Sequence, residues 1–352
     1  MLEWSCDTVF VSKILNDFLS KLSIQKINMR AGLTRHWFDW INRQEVLVFT
    51  LLLIAILLLS LTTTTFLTTN NLQNVSRNLA WIAIPAFGES LVILIGGIDL
   101  SVGAVMALSG LVTALALRFG LPIPAAILGG LAAGSLVGWV NGTLVGRVRF
   151  PPFIVTLGTA AIVRGIIFGL AGGWPILDLP SGFRFLGQAD IILGTLSFPV
   201  PVLMMLLLAV LVQTLLKATI LGRYIYTLGD SEQALIVTGV GLPQIKTIVY
   251  TLCGALTAIG GILMTARLGV AAPTAATGYE LDIIAAVIIG GTSLLGGQGT
   301  ILGVFLGAAF MQVLRNGLVL LGIPAYWQTA ALGSVIIFAL LLDLWRQNRT
   351  IS

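Results

Sequence analysis

The chain of 352 residues is 57% apolar, and only 9% of its residues are charged, with 19 Lys and Arg against 14 Asp and Glu. Soluble domains are about one quarter charged, so this composition excludes a water-soluble globular protein and indicates a protein embedded in a bilayer. The formal net charge of +5 fits basic cytoplasmic loops. No basic run interleaved with aromatic residues points to nucleic acid, and Cys6 and Cys253 suggest no disulfide framework.

Residues 1–45 are too polar to cross a membrane and are predicted to form a cytoplasmic N-terminal extension. They contain no apolar core followed by a cleavage site, so they are not read as a signal peptide. The apolar residues between Val9 and Leu22 approximate helical spacing, which permits an interfacial helix lying on the membrane. The alternatives are a disordered extension and an overlong gene start, with Met29 as the true initiator.

The intervals between charges predict the membrane spans, because a helix needs about 20 apolar residues to cross about 30 Å of hydrocarbon. The fold class expected is an all-α polytopic membrane protein with about ten transmembrane helices, some of them short or broken. A membrane domain covers 46–343. Within it the predicted full spans are 46–67, 78–98, 100–117, 119–146, 150–177, 191–216 and 247–266. The predicted later elements are a short helix, an irregular turn at 290–299 and a full helix within 283–314, and then a last crossing within 316–342.

The distribution of Lys and Arg sets the orientation, because cytoplasmic loops retain basic residues. With the N-terminus inside, thirteen Lys and Arg lie on the cytoplasmic side and five on the other side, while Arg164 falls within a span. An even number of crossings then places both termini in the cytoplasm. The tail 344–352 and the long connection 217–246 are therefore predicted to be cytoplasmic.

The segment 96–103 interrupts apolar sequence with Gly96, Gly97, Asp99 and Ser101. Asp99 and Ser101 fit a turn that caps the next helix, and they also fit the inner end of a translocation path; the two interpretations are compatible. The pair Gly96-Gly97 has an echo in Gly290-Gly291, which is followed by Gly296-Gly297. If the echo reflects an internal repeat, two glycine-broken helices take related positions, as transporters often arrange around a central path.

Two isolated charges, Glu89 and Arg164, stand within predicted spans. They could form a mutual ion pair, or Glu89 could be neutral and bonded to a neighbouring helix while Arg164 reaches the interface. The functional alternative is that they line a wet cavity and bind a hydroxylated solute. Asn141 and Asn316, each followed by glycine, are further candidates for such a path.

The connection 217–246 is predicted to contain a short helix that begins with Asp230 or Ser231 as N-cap and ends at Gly239. The chain has no phosphate-binding loop of the form Gly-x-x-x-x-Gly-Lys-Ser/Thr, and no cluster with metal-ligand spacing. It also lacks the sequence setting of a nucleophilic serine. We therefore predict that it is not an enzyme, and we expect no cofactor and no metal in the chain.

Four segments together, in one order and spacing, resemble the ribose-type ABC sugar permeases. The likeness runs from about residue 43 to residue 343. It implies the permease subunit of an ATP-binding-cassette importer in the bacterial plasma (inner) membrane. Such a subunit would form the path for a monosaccharide or a related small polyol; members of the family import ribose, xylose, arabinose, galactose, polyols or autoinducer-2. The segments are Gly96 to Gly103, Thr156 to Gly165, Gly222 to Pro243 and Gly278 to Gly299.

The resemblance implies partners and site residues. A separate ATPase subunit would bind MgATP and dock on a coupling helix in the 230–243 loop, where Gln233-Ala234 replaces the usual consecutive alanines. A second permease chain, identical or paralogous, and an extracytoplasmic sugar-binding protein would complete the importer. The coupling residues expected are Gly229, Asp230, Glu232, Ala234, Gly239, Val240 and Pro243.

The residues proposed for the translocation path come from membrane physics, since the family does not assign sugar contacts here. They are Glu89, Asp99, Ser101, Asn141, Arg164 and Asn316, with helix breaks at Gly96, Gly97, Gly290, Gly291, Gly296 and Gly297. The rival function is a proton-coupled secondary transporter of a small hydroxylated solute, acting through Glu89 and Asp99. Dependence on a partner ATPase separates the two.

Overall fold

A computed structural model describes residues 44–193, 196–335 and 337. The chain divides into two units: residues 1–47, of which only 44–47 are described, and residues 48–352. The interfacial helix considered within residues 1–45 and the tail 344–352 lie outside the described residues, so both remain predictions.

The described residues form a succession of helices interrupted by one small hairpin. In chain order the elements are α1 (Gln44–Thr62), α2 (Thr69–Leu94), α3 (Val102–Arg118), α4 (Ile123–Thr143), which continues as a π-helical turn (Leu144–Val148), α5 (Pro152–Ala171), α6 (Ser181–Gln188), β1 (Asp190–Leu193), β2 (Leu196–Pro199), α7 (Val200–Ala218), α8 (Ile220–Asp230), α9 (Glu232–Val237), α10 (Leu242–Leu268), α11 (Tyr279–Ile289) and α12 (Ile301–Leu320).

The predicted class, an all-α polytopic membrane protein, is confirmed. Seven helices in the described part are long and apolar enough to cross a membrane: α1, α2, α4 with its π-helical turn, α5, α7, α10 and α12. The helix α3 is apolar but shorter, and α11 has only 11 residues, too few for a crossing of about 30 Å. Residues 325–335 are helical after the turn at 322–324, where a last crossing was predicted.

Several predicted span boundaries are wrong, because charge was taken to mark the end of a helix. The helix α2 begins at Thr69 and includes Arg77, and α10 begins at Leu242 and includes Lys246. Arg77 is 2.6 Å from Asp190, and Lys246 is 3.1 Å from Glu232. A helix can carry a charge that is paired in this way, so the charge does not end it.

The span predicted at 191–216 is also wrong at its start. Asp190–Leu193 pairs antiparallel with Leu196–Pro199, and the helix begins only at Val200. Pro199 precedes that helix and Pro201 lies in its first turn, where a missing N–H costs no helical hydrogen bond. The hairpin is the one exception to helical structure among the elements of the described residues.

Residues at helix ends explain where several helices begin. The side chain of Thr68 accepts a hydrogen bond from the N–H of Asn71 at the start of α2. Thr300 does the same for Gly303 at the start of α12. These N-caps satisfy backbone donors that the first turn leaves free.

The helices α4 and α10 pack closely through a row of glycines on α4. Gly130, Gly134, Gly138 and Gly142 are spaced four residues apart and are buried. A Cβ atom on Gly134 would lie 2.7 Å from the Cβ atom of Ala258, and one on Gly142 would lie 2.6 Å from the Cα atom of Thr247. Small residues at this spacing let two membrane helices approach until their backbones touch.

Candidate functional site

The two glycine breaks end α2 and α11 with the same backbone geometry. After α2, the N–H of Gly97 donates to the carbonyl oxygen of Val92 at 2.9 Å, and Gly96 has a φ of 75°. After α11, the N–H of Thr292 donates to Val287 at 3.2 Å, and Gly291 has a φ of 97°. Both are Schellman motifs, in which the residue that ends the helix has a left-handed backbone conformation. That conformation favours glycine.

This likeness corrects the register of the predicted echo. In the structure Gly96 corresponds to Gly291, not to Gly290 as the sequence echo has it. The two breaks also touch, because the N–H of Gly297 donates to the carbonyl oxygen of Leu94 at 2.9 Å. Two glycine-broken helices therefore meet at one place in the described part of the chain.

Four of the six residues proposed for the path form one hydrogen-bonded chain beside the first break. The N–H of Asp99 donates to Oε1 of Glu89 at 3.0 Å, and the hydroxyl of Ser101 donates to Oδ1 of Asp99 at 2.5 Å. The side-chain amide of Asn141 on α4 donates to Ser101 Oγ at 3.0 Å. All four residues are almost fully buried. The turn after α2 is thus tied to both α2 and α4.

Three further residues, none of them among the six proposed for the path, belong to this buried cluster. Thr156 on α5 accepts from the N–H of Leu100 at 3.1 Å and donates to the carbonyl oxygen of Ile98. On α10, the thiol of Cys253 lies 3.8 Å from Oε2 of Glu89. The buried hydroxyl of Tyr250 packs against Gly97 and has no hydrogen-bond partner in the structure.

A sequence signal was available for only one of these three. Thr156 stands in the Thr-Leu-Gly-Thr segment that carries the family resemblance. Tyr250 and Cys253 lie in an apolar run with nothing to mark them. Their role depends on the packing of α10 against α2, which periodicity does not predict.

Arg164 and Glu89 do not form the ion pair considered from the sequence. Glu89 accepts from the Asp99 N–H, whereas Nη1 of Arg164 donates to the carbonyl oxygens of Pro273 and Ala275 at 3.1 and 2.8 Å. The arginine, half buried on α5, thereby fastens the loop between α10 and α11. It lies apart from the cluster around Glu89.

Asn316 lies at a third place, paired with Asn71. The two amides exchange hydrogen bonds of 3.0 and 3.1 Å between α12 and the first turn of α2. An amide pair of this kind satisfies polar groups within a membrane and joins the two helices. The six residues proposed for one path are therefore distributed over three separate places.

The helix α8 connects the predicted coupling loop to the glycine breaks. The hydroxyl of Tyr226 donates to the carbonyl oxygen of Gly299 at 2.9 Å, and burial raises the pKa of this hydroxyl. Gly229 lies against the backbone of Leu94 and of Gly297, with no room for a side chain. This helix was not predicted, although the loop that contains it was.

The short helix predicted in the loop is α9. Ser231 is its N-cap and accepts from the N–H of Ala234 at 3.3 Å, as expected, while Asp230 is the last residue of α8. Gly239, with a φ of 75°, follows the end of the helix. Glu232 pairs with Lys246 of α10 at 3.1 Å.

One face of α9 is buried against the rest of the protein, and another face is exposed. Leu235 is buried, and Val240 and Pro243, which follow the helix, lead into the first turn of α10. Ile236 and Val237 are 58% and 87% exposed. Two adjacent exposed aliphatic side chains on a helix fixed at both ends form a surface suited to contact with another protein.

The described residues contain no group of three or more His, Cys, Asp or Glu placed to hold a metal ion. The two carboxylates of this cluster, Glu89 and Asp99, take part in none of the ion pairs among those residues. Their partners are backbone N–H groups, a hydroxyl and a thiol. The polar groups of this cluster can therefore form hydrogen bonds with one another or with a polar solute.

Comparison with known proteins gives one family and several curated relatives. Residues 71–341 match the family described as branched-chain amino acid transport system / permease component. The ribose import permease protein RbsC of Escherichia coli (strain K12) is 41% identical over 93% of this chain and the whole of that protein. The D-allose transport system permease protein AlsC of the same strain is 38% identical over 84% of this chain and 90% of its own length.

A third relative, the fructose import permease protein FrcC of Rhizobium meliloti, is 37% identical over 85% of this chain and 84% of its own length. No solved structure matches the chain. The three matches cover between 84% and 93% of this chain.

Proposed function

This chain belongs to the branched-chain amino acid transport system / permease component family, and from that membership we propose that it is the membrane subunit of an ATP-binding-cassette importer for a monosaccharide. The observation that carries the proposal is the 41% identity to a ribose import permease over the whole of that protein. The related permeases named for allose and fructose support the same class of solute. The protein is a multi-pass protein of the bacterial inner membrane.

The importer would work with an ATPase subunit that binds MgATP, an extracytoplasmic sugar-binding protein and a second permease chain. With both termini and the 217–246 loop in the cytoplasm, α9 lies where an ATPase subunit could reach it. We assign the contact to Ile236 and Val237, because they are the exposed large apolar residues of that helix. Glu232 would keep its bond to Lys246 and hold α9 in place.

For the path, we propose that the cluster of Glu89, Asp99, Ser101 and Asn141 acts at the first glycine break. In the structure these groups bond to one another, which holds the turn after α2 against α4. A movement of the turn would release hydroxyl, amide and carboxylate groups toward a passing sugar, which needs hydrogen-bonding partners more than charge. Arg164 and Asn316 would act on the same cycle by fixing neighbouring segments.

The movement would be an alternation between two discrete arrangements. ATP-driven closure of the ATPase subunits would displace α9, and α8 would transmit that displacement to both breaks through Tyr226 and Gly229. The rival, a proton-coupled transporter, has two buried acids in its favour, but the curated relatives are all permease components of transport systems.

The test is co-purification of the tagged chain from mild detergent with the products of neighbouring genes, followed by vanadate-sensitive ATP hydrolysis. We expect an ATPase subunit to be recovered, and Ile236→Asp with Val237→Asp to abolish its recovery. Val148→Asp, at an exposed position at the end of the π-helical turn that continues α4, is the control and should retain the subunit. Reconstituted vesicles with uptake of ribose, allose or fructose but no ATP dependence would contradict the proposal.

A further inference from the structure

A groove of about 400 Å³ lies between α7 and the first turn of α12, which follows the second glycine break. Both helices are candidate membrane spans, so the groove lies at membrane depth. Val210 and Leu302 on its walls are 62% and 56% exposed, so the groove is open at the surface of the chain. Its walls are mostly aliphatic or aromatic, with Leu206, Val210, Leu302 and Phe305 among them.

One end of the groove is polar. Gln213 and Thr214 line it near the end of α7, and Lys217 follows one turn later on the same face, at i+4 and i+3 from them. Lys217 is exposed, and so is Arg223 on α8. Neither forms an ion pair with another described residue. One of these cations, Lys217, thus stands near the position where an apolar groove reaches the end of a membrane helix.

We infer that this groove binds one anionic phospholipid, with an acyl chain along the apolar walls and the phosphate group at Lys217. The apolar surface suits a hydrocarbon chain, and basic residues beside transmembrane helices attract anionic head groups. Charge complementarity selects an anionic lipid over a zwitterionic one. The inference does not depend on the importer function, since it uses only the groove, the span and the cations.

Because of the position of the groove, a lipid bound there would affect the structure around it. The helix α7 continues through Thr219 into α8, and α12 begins directly after the glycine turn that α8 contacts. A lipid between α7 and α12 therefore bridges the two elements that flank this contact. Its loss would loosen the contact between Tyr226 and Gly299 without touching either residue.

The test uses the purified full chain in a neutral detergent and native mass spectrometry. Dioleoyl phosphatidylglycerol and dioleoyl phosphatidylcholine, which share their acyl chains, are titrated separately. We expect one tightly bound phosphatidylglycerol, favoured about fivefold over phosphatidylcholine, which corresponds to about 1 kcal/mol for one basic residue at the membrane surface. Lys217→Gln should remove the preference, while Arg147→Gln, an exposed cation in the π-helical turn after α4, should keep it.

A second variant tests the groove itself. Ala209 lies on its wall, and Ala209→Phe should fill it and weaken the binding of both lipids by about tenfold, because the burial of about two methylene groups is lost. Ala161→Phe adds the same group to an exposed position of α5 and should leave binding unchanged. Equal affinity for both lipids, or equal effects of Ala209→Phe and Ala161→Phe, would overturn the inference.

Discussion

The Cα atom of Gly229, near the end of α8, lies against the carbonyl oxygen of Leu94, the last residue of α2, and against the backbone nitrogen of Gly297. A methyl group on Gly229 would overlap with both atoms. Because the obstacles belong to the backbone, no rotation of a side chain makes room. The segment just before α9 is thereby fitted to both glycine breaks through one residue.

We expect Gly229→Ala to separate α8 from the breaks and to reduce ATP-driven sugar uptake about tenfold, since overpacking costs about 1–3 kcal/mol. The ATPase subunit should still co-purify, because α9 keeps its exposed face. Uptake in reconstituted vesicles measures the effect. Gly165→Ala, on a helix face with nothing within 4 Å, is the control and should transport normally. Normal uptake by Gly229→Ala would exclude this contact from coupling.

A second prediction concerns the glycine row on α4. A Cβ atom on Gly138 would overlap with the carbonyl oxygen of Tyr250, so Gly138→Ala should push α4 from α10 and lower the unfolding free energy by about 1–3 kcal/mol. Thermal unfolding in detergent measures the loss. Gly158→Ala has open space around it and should unfold at or slightly above the wild-type temperature. Equal unfolding temperatures for the two variants would argue against close helix contact.

A third prediction separates the hydrogen-bonding role of Glu89 from its charge. Gln at position 89 retains an oxygen that can accept from the Asp99 N–H, whereas Ala leaves that buried donor without a partner. We expect Glu89→Gln to unfold near the wild-type temperature and Glu89→Ala to lose about 1–3 kcal/mol. Uptake by Glu89→Gln should persist. A folded Glu89→Gln protein without uptake would instead favour proton coupling through this residue.

A fourth prediction concerns the ion pair between Arg315 and Asp282, in which Asp282 is buried and Arg315 also lies 4.5 Å from the ring centre of Tyr279. Arg315→Ala leaves a buried carboxylate alone, which costs about 3–5 kcal/mol. The double variant Arg315→Met with Asp282→Leu should regain most of that loss. Thermal unfolding compares them with Arg118→Ala, an exposed arginine, which should show little change. A double variant as unstable as Arg315→Ala would contradict the role of the pair.

The sequence predicted the class of the fold because long uncharged intervals are a direct requirement of the bilayer. It failed at Arg77, Lys246 and Arg315, which lie inside helices. Each is paired with an acid that is distant in sequence or in another element, namely Asp190, Glu232 or Asp282. A rule that ends the predicted spans at these three charges cannot account for such pairs.

In the candidate site, too, the features that depend on local sequence could be predicted, and those that depend on helix packing could not. Ser231 and Gly239 mark the ends of α9 by local chemistry, so the short helix could be predicted within two residues. The contact of Tyr250 with Gly97 joins residues far apart in sequence and depends on how α10 lies against α2. No local pattern contains that information. The shared geometry of the two breaks was partly predictable, but the register needed the backbone hydrogen bonds.

The unbroken length of α10 has a mechanical consequence. Its 27 residues extend about 40 Å. Near its start Lys246 bonds to Glu232, and near its other end the side chain of Arg267 donates to Asn74 while its carbonyl oxygen accepts from Gln188. Close packing against the glycines of α4 along its side makes α10 resist bending, so the helix moves as a rigid rod. If the end of α10 beside α9 is tilted, the opposite end of the helix is displaced. This displacement needs no series of side-chain contacts between the two ends.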